Sequence, residues 1–309
     1  MTARGWWLFA AMAVLWGMPY LFIKEAVETF SPAAMVAGRT LIGALILLPI
    51  AIRRGAIRPA LKLWPWVLAL GAIEMAGPFL LLGHAELTLP SGLTGLLVAT
   101  VPLFAAIIAF TRGDRSVLRP LRAFGLVLGF AGVAVIVAGP GLAVGEGVGG
   151  LVAVGEVLLV ALLYAIAPFI IATKLKDVPA LGTITISLGV VGLFYLPIAL
   201  LTPSEPPTTR SVVSLVALGV LCTAVAFVVF FALIAEVGPV RAPLFTYVNP
   251  VVAIILGVIV LGEQITLGLV IGFPLVILGC WLAATGGAVR AREQRGELPP
   301  GELPPVAAG

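Results

Sequence analysis

Ten apolar stretches, each long enough to cross a lipid bilayer, leave little chain for anything else. They lie near 5–24, 32–52, 64–85, 91–111, 120–139, 150–172, 179–202, 211–235, 241–261 and 267–286. A hydrocarbon core about 30 Å thick takes roughly 20 residues at 1.5 Å rise each. Backbone in lipid must close its own hydrogen bonds, so each stretch reads as a helix. Composition offers no water-soluble alternative. The chain is 61% hydrophobic and 10% charged, and a surface that faces water needs far more polar side chain. The expected fold is therefore an all-α integral membrane bundle of ten transmembrane helices. Glycine, proline and charge mark the breaks, as at Arg53-Arg54-Gly55, Arg112-Gly113-Asp114-Arg115 and Gly139-Pro140-Gly141.

The cations fix an expected orientation. With the N-terminus in the cytoplasm, fifteen Lys and Arg side chains fall on cytoplasmic segments, in loops such as Arg53–Lys62 and Arg112–Arg122. Only Lys24 and Arg210 fall outside, and Arg39 lies within a span. That asymmetry is the positive-inside pattern, and both termini are expected to be cytoplasmic. Omitting one span would reverse every later loop and erase it. Trp6, Trp7, Trp64 and Trp66 sit at the same ends, where amphipathic rings favour the headgroup layer.

The same numbers exclude several classes. The net charge of +4 comes from short loops between spans, so no nucleic-acid partner is expected; the partners expected are a small-molecule substrate and the bilayer itself. One histidine and two cysteines cannot make a His/Cys zinc cluster. Cys222 and Cys280 lie in apolar spans and read as small buried hydrophobes. No cofactor is expected. The first apolar run continues through Ile23, too long for a cleaved signal, and reads as an uncleaved first helix. Residues 287–309 contain the tandem GELPPGELPP and read as a disordered cytoplasmic tail.

The ten spans divide into two fives, and the halves echo each other. Val101-Pro102-Leu103 is followed by Gly125 and Gly132; Asn249-Pro250-Val251 is followed by Gly272 and Gly279. Ala85-Glu86 matches Ala235-Glu236. We read residues 5–139 and 150–286 as two repeats. An odd number of spans per repeat inverts the second copy in the membrane, and inverted repeats permit alternating access around a site near the midplane.

The stretch from Leu233 to Glu263, which contains Tyr247-Val-Asn249-Pro250 and ends Leu261-Gly262-Glu263, is similar to the penultimate-helix motif of EamA-type members of the drug/metabolite transporter superfamily. Leu89 to Phe104 resembles the fourth helix of that family. Trp16-Gly17 and Arg39 also fit, and the resemblance covers about residues 5–286. The first-half turn departs from the pattern, with Arg-Gly-Asp-Arg in place of Leu-Gly-Glu. The resemblance implies two inverted five-helix repeats and export of small metabolites, amino acids or drugs. It also implies a multi-pass protein of the bacterial cytoplasmic (inner) membrane.

Charged groups inside spans are costly, about 2.5–3.5 kcal/mol at a helix centre, so each needs a reason. Glu74 lies about ten residues past the Trp64 end, roughly 15 Å deep, between Gly71 and Gly77-Pro78. It reads as a contact for a substrate amine or as a proton carrier, against a carboxyl kept neutral by burial. Arg39 lies roughly 10 Å below the outer surface, and the two are expected either to pair or to hold the ends of a zwitterion. Trp16, Tyr20, Tyr164 and Tyr247 each join an apolar body to a polar tip, as a cavity wall requires. With Asn249 they lie near helix breaks, where freed backbone groups meet substrate.

His84, near the outer end of the third helix, is either a proton relay or a hydrogen-bonded interface residue. Glu156 is expected to reach toward water, Lys24 and Glu25 to form the wet end of helix one, and Glu263 to cap an outer turn. Gly125-x-x-x-Gly129 and Gly268-x-x-x-Gly272 are expected to pack helices five and ten together.

The leading expectation is a secondary active exporter. A facilitative transporter or importer of the same substrates is the alternative, and an intramembrane enzyme a remote one. The chain has no Gly-Lys-Ser/Thr phosphate loop, no His-Glu-x-x-His and no Gly-x-Ser-x-Gly. Monomer and homodimer are equally compatible with it.

Overall fold

The computed structural model describes residues 1–138, 148–238 and 241–285. Ten of its helices are long and apolar enough to span a membrane: α1 (Ala3–Ala26), α2 (Pro32–Arg53), α3 (Trp64–Ala85), α4 (Ser91–Thr111), α5 (Pro120–Ala138), α6 (Val148–Lys174), α7 (Ala180–Leu201), α8 (Thr209–Val237), α9 (Ala242–Leu261) and α10 (Leu267–Ala284). No strand occurs among the described residues. The ends agree with the apolar pattern to within two residues, and polar caps set several of them. The Ser31 hydroxyl accepts from the Ala34 N–H, and Thr208 accepts from Ser211. The tail at 287–309 lies outside the described residues.

Contacts between loops sort the helix ends onto two faces. On one face Thr2 donates to Glu236 at 2.5 Å, and Arg122 reaches the Ala284 carbonyl at 3.4 Å. This face carries the arginine-rich turns and is called the basic face below. Trp6, Trp7, Trp64 and Trp66 are all exposed at it. On the far face the Glu205 N–H donates to the Thr29 carbonyl at 2.9 Å, and the α9–α10 turn docks on the start of α4 through Glu263.

Helix pairs approach through small residues, because lipid supplies no hydrophobic drive and close contact must replace it. The tightest pair is α5 with α10, as the Gly-x-x-x-Gly spacings predict. A Cβ on Gly279 would lie 2.3 Å from the Gly129 nitrogen, and one on Gly125 would lie 2.6 Å from the Ala283 nitrogen. Gly192 of α7 packs against Leu41 and Thr40 of α2 in the same way.

Five spans carry breaks in regular α-helix. α1 is interrupted between Leu15 and Pro19. α4 breaks at Ala99–Thr100, ahead of Pro102, and α9 opens as a 3₁₀ turn over Ala242–Tyr247, ahead of Pro250. Proline lacks the N–H that would continue the ladder. α3 and α8 each contain a π-helical turn, over Ala72–Ala76 and Val220–Val225. In α3 the cause is Pro78, which cannot donate to the Glu74 carbonyl; the Gly77 N–H reaches back five residues to Ala72 instead. In α8 the Thr223 hydroxyl donates to the Leu218 carbonyl at 2.8 Å, and the Ala226 N–H reaches Leu221. A side-chain hydroxyl there competes with the backbone ladder.

The helices pack differently toward the two faces. Their far-face halves converge: the outer parts of α1, α4 and α9 pack on one another, and α4 is buried without interruption from Ser91 to Leu97. On the basic face the same helices join two groups. The Val101–Thr111 part of α4 packs on α6 and α10, whereas the Ala3–Leu15 part of α1 packs on α8 and α9.

Candidate functional site

All five interrupted helices meet around a single cavity of about 260 Å³ in the middle of the bundle. Breaks place polar backbone where an unbroken helix would hide it, and such backbone is tolerated at membrane depth where it lines a cavity. Glu74, Arg39, Trp16, Tyr20, Tyr164, Tyr247 and Asn249 all line it. These seven residues come from five different helices. His84 does not join them. Its Nδ1 lies 2.9 Å from the Glu156 carboxylate, linking the far-face ends of α3 and α6, and its side chain is 57% exposed.

Arg39 is 5% exposed. Its Nε donates to the Thr223 hydroxyl at 3.1 Å, and its guanidinium lies 3.8 Å from the centroid of the Phe79 ring. Thr223 spends its proton on Leu218 and so presents a lone pair to the arginine. The ring face stabilises the cation where water cannot. Neither Thr223 nor Phe79 is marked in the sequence; the π turn that aims Thr223 has no apolar-pattern signature.

The side chain of Glu74 projects from the other π turn. That turn is held in place from α7, where Tyr195 donates to the Ala76 carbonyl at 3.1 Å and Ser187 donates to the Val67 carbonyl at 3.0 Å. No ion pair joins Glu74 to Arg39 among the described residues, so the expected direct pairing is not made. Tyr164 of α6 lines the same cavity. The cavity thus holds a cation and an acid on different helices, not joined by an ion pair among the described residues.

Aromatic rings build the floor toward the basic face. Trp16 packs against Phe227, Phe230 and Phe245 at centroid distances of 5.8, 5.0 and 5.4 Å. Asn249, with its amide nitrogen turned toward them, donates to the Ala13 carbonyl at 3.3 Å and the Phe245 carbonyl at 3.1 Å. It therefore ties the break in α1 to the break in α9. Gly17 permits this approach, since a Cβ there would lie 2.5 Å from Val252.

The far-face ceiling is polar and closed. The Glu263 carboxylate accepts from the Ser91 and Gly92 N–H groups at 2.6 and 3.0 Å, so it caps α4 and not merely its own turn. Lys24 and Glu25 are not a wet helix end, as the sequence had led us to expect. Lys24 donates to the carbonyls of Glu86 and Leu89. Glu25 is 5% exposed and accepts from Arg210 at 2.6 Å and from Ser214. An acid beside a lone outer arginine was the available signal, but their 185-residue separation hides the pairing in the sequence.

The sequence has known relatives. The model of the EamA-like transporter family matches residues 3–138 and again 151–285. The chain is 28% identical to the uncharacterized transporter YvbV of Bacillus subtilis, over 90% of each chain. It is 26% identical to the uncharacterized inner membrane transporter YedA of Escherichia coli K12, over 88% of this chain and 90% of that one. A crystal structure at 21% identity superposes with a TM-score of 0.64, covering 94% of this chain and 99% of the other, and bears out the fold.

Proposed function

Because this chain belongs to the EamA-like transporter family, we propose that it is a secondary active exporter that carries a small charged metabolite through the central cavity. The single observation that carries this reading is the cavity itself, with Arg39 and Glu74 on separate walls among Trp16, Tyr20, Tyr164 and Tyr247. A ligand with both an anionic and a cationic group satisfies both walls, the aromatic rings taking its apolar part. An amino acid or a comparable zwitterion is the class that fits. Asn249 and the helix breaks supply main-chain partners.

Residues 5–139 and 150–286 act as two inverted repeats that rock around this site. The basic face is cytoplasmic, with both termini there, in a bacterial inner membrane. The convergence of α1, α4 and α9 at the far face, and their separation into two groups at the basic face, supports an arrangement that admits substrate from the cytoplasm. Glu74 exchanges the driving proton. Its lack of an ion-pair partner among the described residues leaves the carboxyl available for that role. His84, held by Glu156 away from the cavity, takes no part.

Counterflow in proteoliposomes, run against a panel of amino acids with and without a pH gradient, tests the reading. Saturable exchange of at least one zwitterion is expected. No exchange of any panel member, together with no substrate protection of the Cys222 thiol in the cavity wall, overturns it.

A further inference from the structure

α3 ends at Ala85, and the next residue, Glu86, is 0% exposed. Neither of its carboxylate oxygens meets a hydrogen-bond donor in good geometry among the described residues. It sits inside the far-face ceiling, where four other titratable groups act with it: Lys24 and Tyr20 from α1, Arg39 from α2 and Glu263 from the α9–α10 turn. The Lys24 ammonium does not neutralise it by direct contact. That ammonium donates to the main-chain carbonyls of Glu86 and Leu89, at 2.5 and 3.0 Å.

Two acids in one seal are treated differently. The N-terminal amides of α4 donate to both oxygens of Glu263. Glu86 receives no such help, and an ionised carboxylate without donors is strongly disfavoured in a buried site. Burial holds the Glu86 carboxyl well above the ordinary carboxylate range, with Lys24 pulling it down and Glu263 pushing it up. The closed ceiling therefore suits the protonated acid, which carries no charge that needs solvating.

We propose that Glu86 is a proton-binding site that latches the far-face seal: the seal closes with Glu86 protonated and opens when that proton leaves to water on the far side. One proton is released on opening and one is taken up from the same side on closing. The open form hydrates the carboxylate and so binds the proton less tightly. By linkage, the closed form is favoured at low pH and loses ground as pH rises on the far side. The latch rests on the reading that the cavity opens alternately to the two faces, and it is separate from the proton assigned to Glu74.

The test uses a single reporter thiol on the cavity wall, Val98→Cys, in a chain carrying Cys222→Ser and Cys280→Ser; Val98 lines the cavity and is partly exposed. The protein is reconstituted in vesicles, and a membrane-impermeant thiol reagent is applied to one face or the other. The ratio of far-face to basic-face labelling rates cancels the ionisation of the thiol itself. The expected result is a ratio that rises about fivefold or more between about pH 5.5 and 8 as the far face opens. Glu86→Gln holds the ratio at its low-pH value throughout, and Glu86→Asp restores the response. A wild-type ratio that is flat with pH, or a Glu86→Gln variant that keeps the wild-type response, overturns the proposal. Counterflow on the same vesicles separates the two readings. A flat ratio with counterflow intact removes only the latch, whereas loss of counterflow for every substrate removes the transporter reading on which it stands.

Discussion

Arg39 donates from its Nε to the hydroxyl of Thr223, 184 residues further along the chain, at 3.1 Å. This bond fixes the edge of the guanidinium that faces α8, while Phe79 supports its face. The arginine is thus positioned by partners other than Glu74, with which it makes no ion pair among the described residues.

Thr223→Val removes the acceptor and leaves a buried N–H without a partner, which costs about 1–3 kcal/mol. Substrate affinity is expected to fall about tenfold, one decade being 1.4 kcal/mol. Thr223→Ser restores the acceptor and recovers affinity. Counterflow KM for wild type and the two variants checks this; equal KM values for Val and Ser would count against the positioning role.

Glu74→Gln keeps the shape of the side chain and removes its titration. Accumulation driven by a pH gradient is expected to disappear while substrate exchange persists. A variant that still concentrates substrate against its gradient assigns the proton to another group.

The glycine seam between α5 and α10 has no room for a side chain, since a Cβ on Gly279 would sit 2.4 Å from the Gly129 Cα. Gly279→Val is expected to destabilise the protein by about 1–3 kcal/mol through overpacking. Gly155→Ala meets nothing within 4 Å and serves as the control. Thermal unfolding in detergent distinguishes them: a lowered midpoint for the first and an unchanged one for the second.

Trp16 is packed by three phenylalanines. Trp16→Ala is expected to cost about 3 kcal/mol in stability and to let an impermeant thiol reagent reach Cys222 faster from the basic face. An unchanged labelling rate would show that this ring does not restrict access from that side.

Cysteines introduced as Arg115→Cys and Glu205→Cys, in a chain without its two natural thiols, report orientation. The first is expected to label only from the cytoplasm and the second only from outside. Labelling of both from one side would contradict the alternating arrangement of the ten spans.

The spans were legible in the sequence because a bilayer imposes one length and one solvent on every helix, and ten apolar runs can satisfy that in few ways. The gathering of Glu74, Arg39 and Tyr164 was also legible, since polar groups at membrane depth avoid lipid. Their bonding was not. Arg39 turns to Thr223, which is one of many threonines and is aimed by a π turn whose residues, Val220–Val225, read as ordinary apolar helix. Glu25 looked like part of a water-facing helix end because its burial depends on a helix far away in the chain. Sequence pattern reports the period and solvent of an element, but not which remote segment will cover its end.

The backbone contact between Gly129 and Gly279 has one more implication. Main chain lies on main chain there, flanked by side chains such as Ile136 and Val276 set into facing glycines, so neither rod can turn about its own axis without a clash. That pair is the keel of the molecule. In the rocking of two repeats proposed above, α5 belongs to one repeat and α10 to the other, so this pair would be the line about which they tilt, and a molecule wedged between α4 and α9 would arrest them without touching the keel at all.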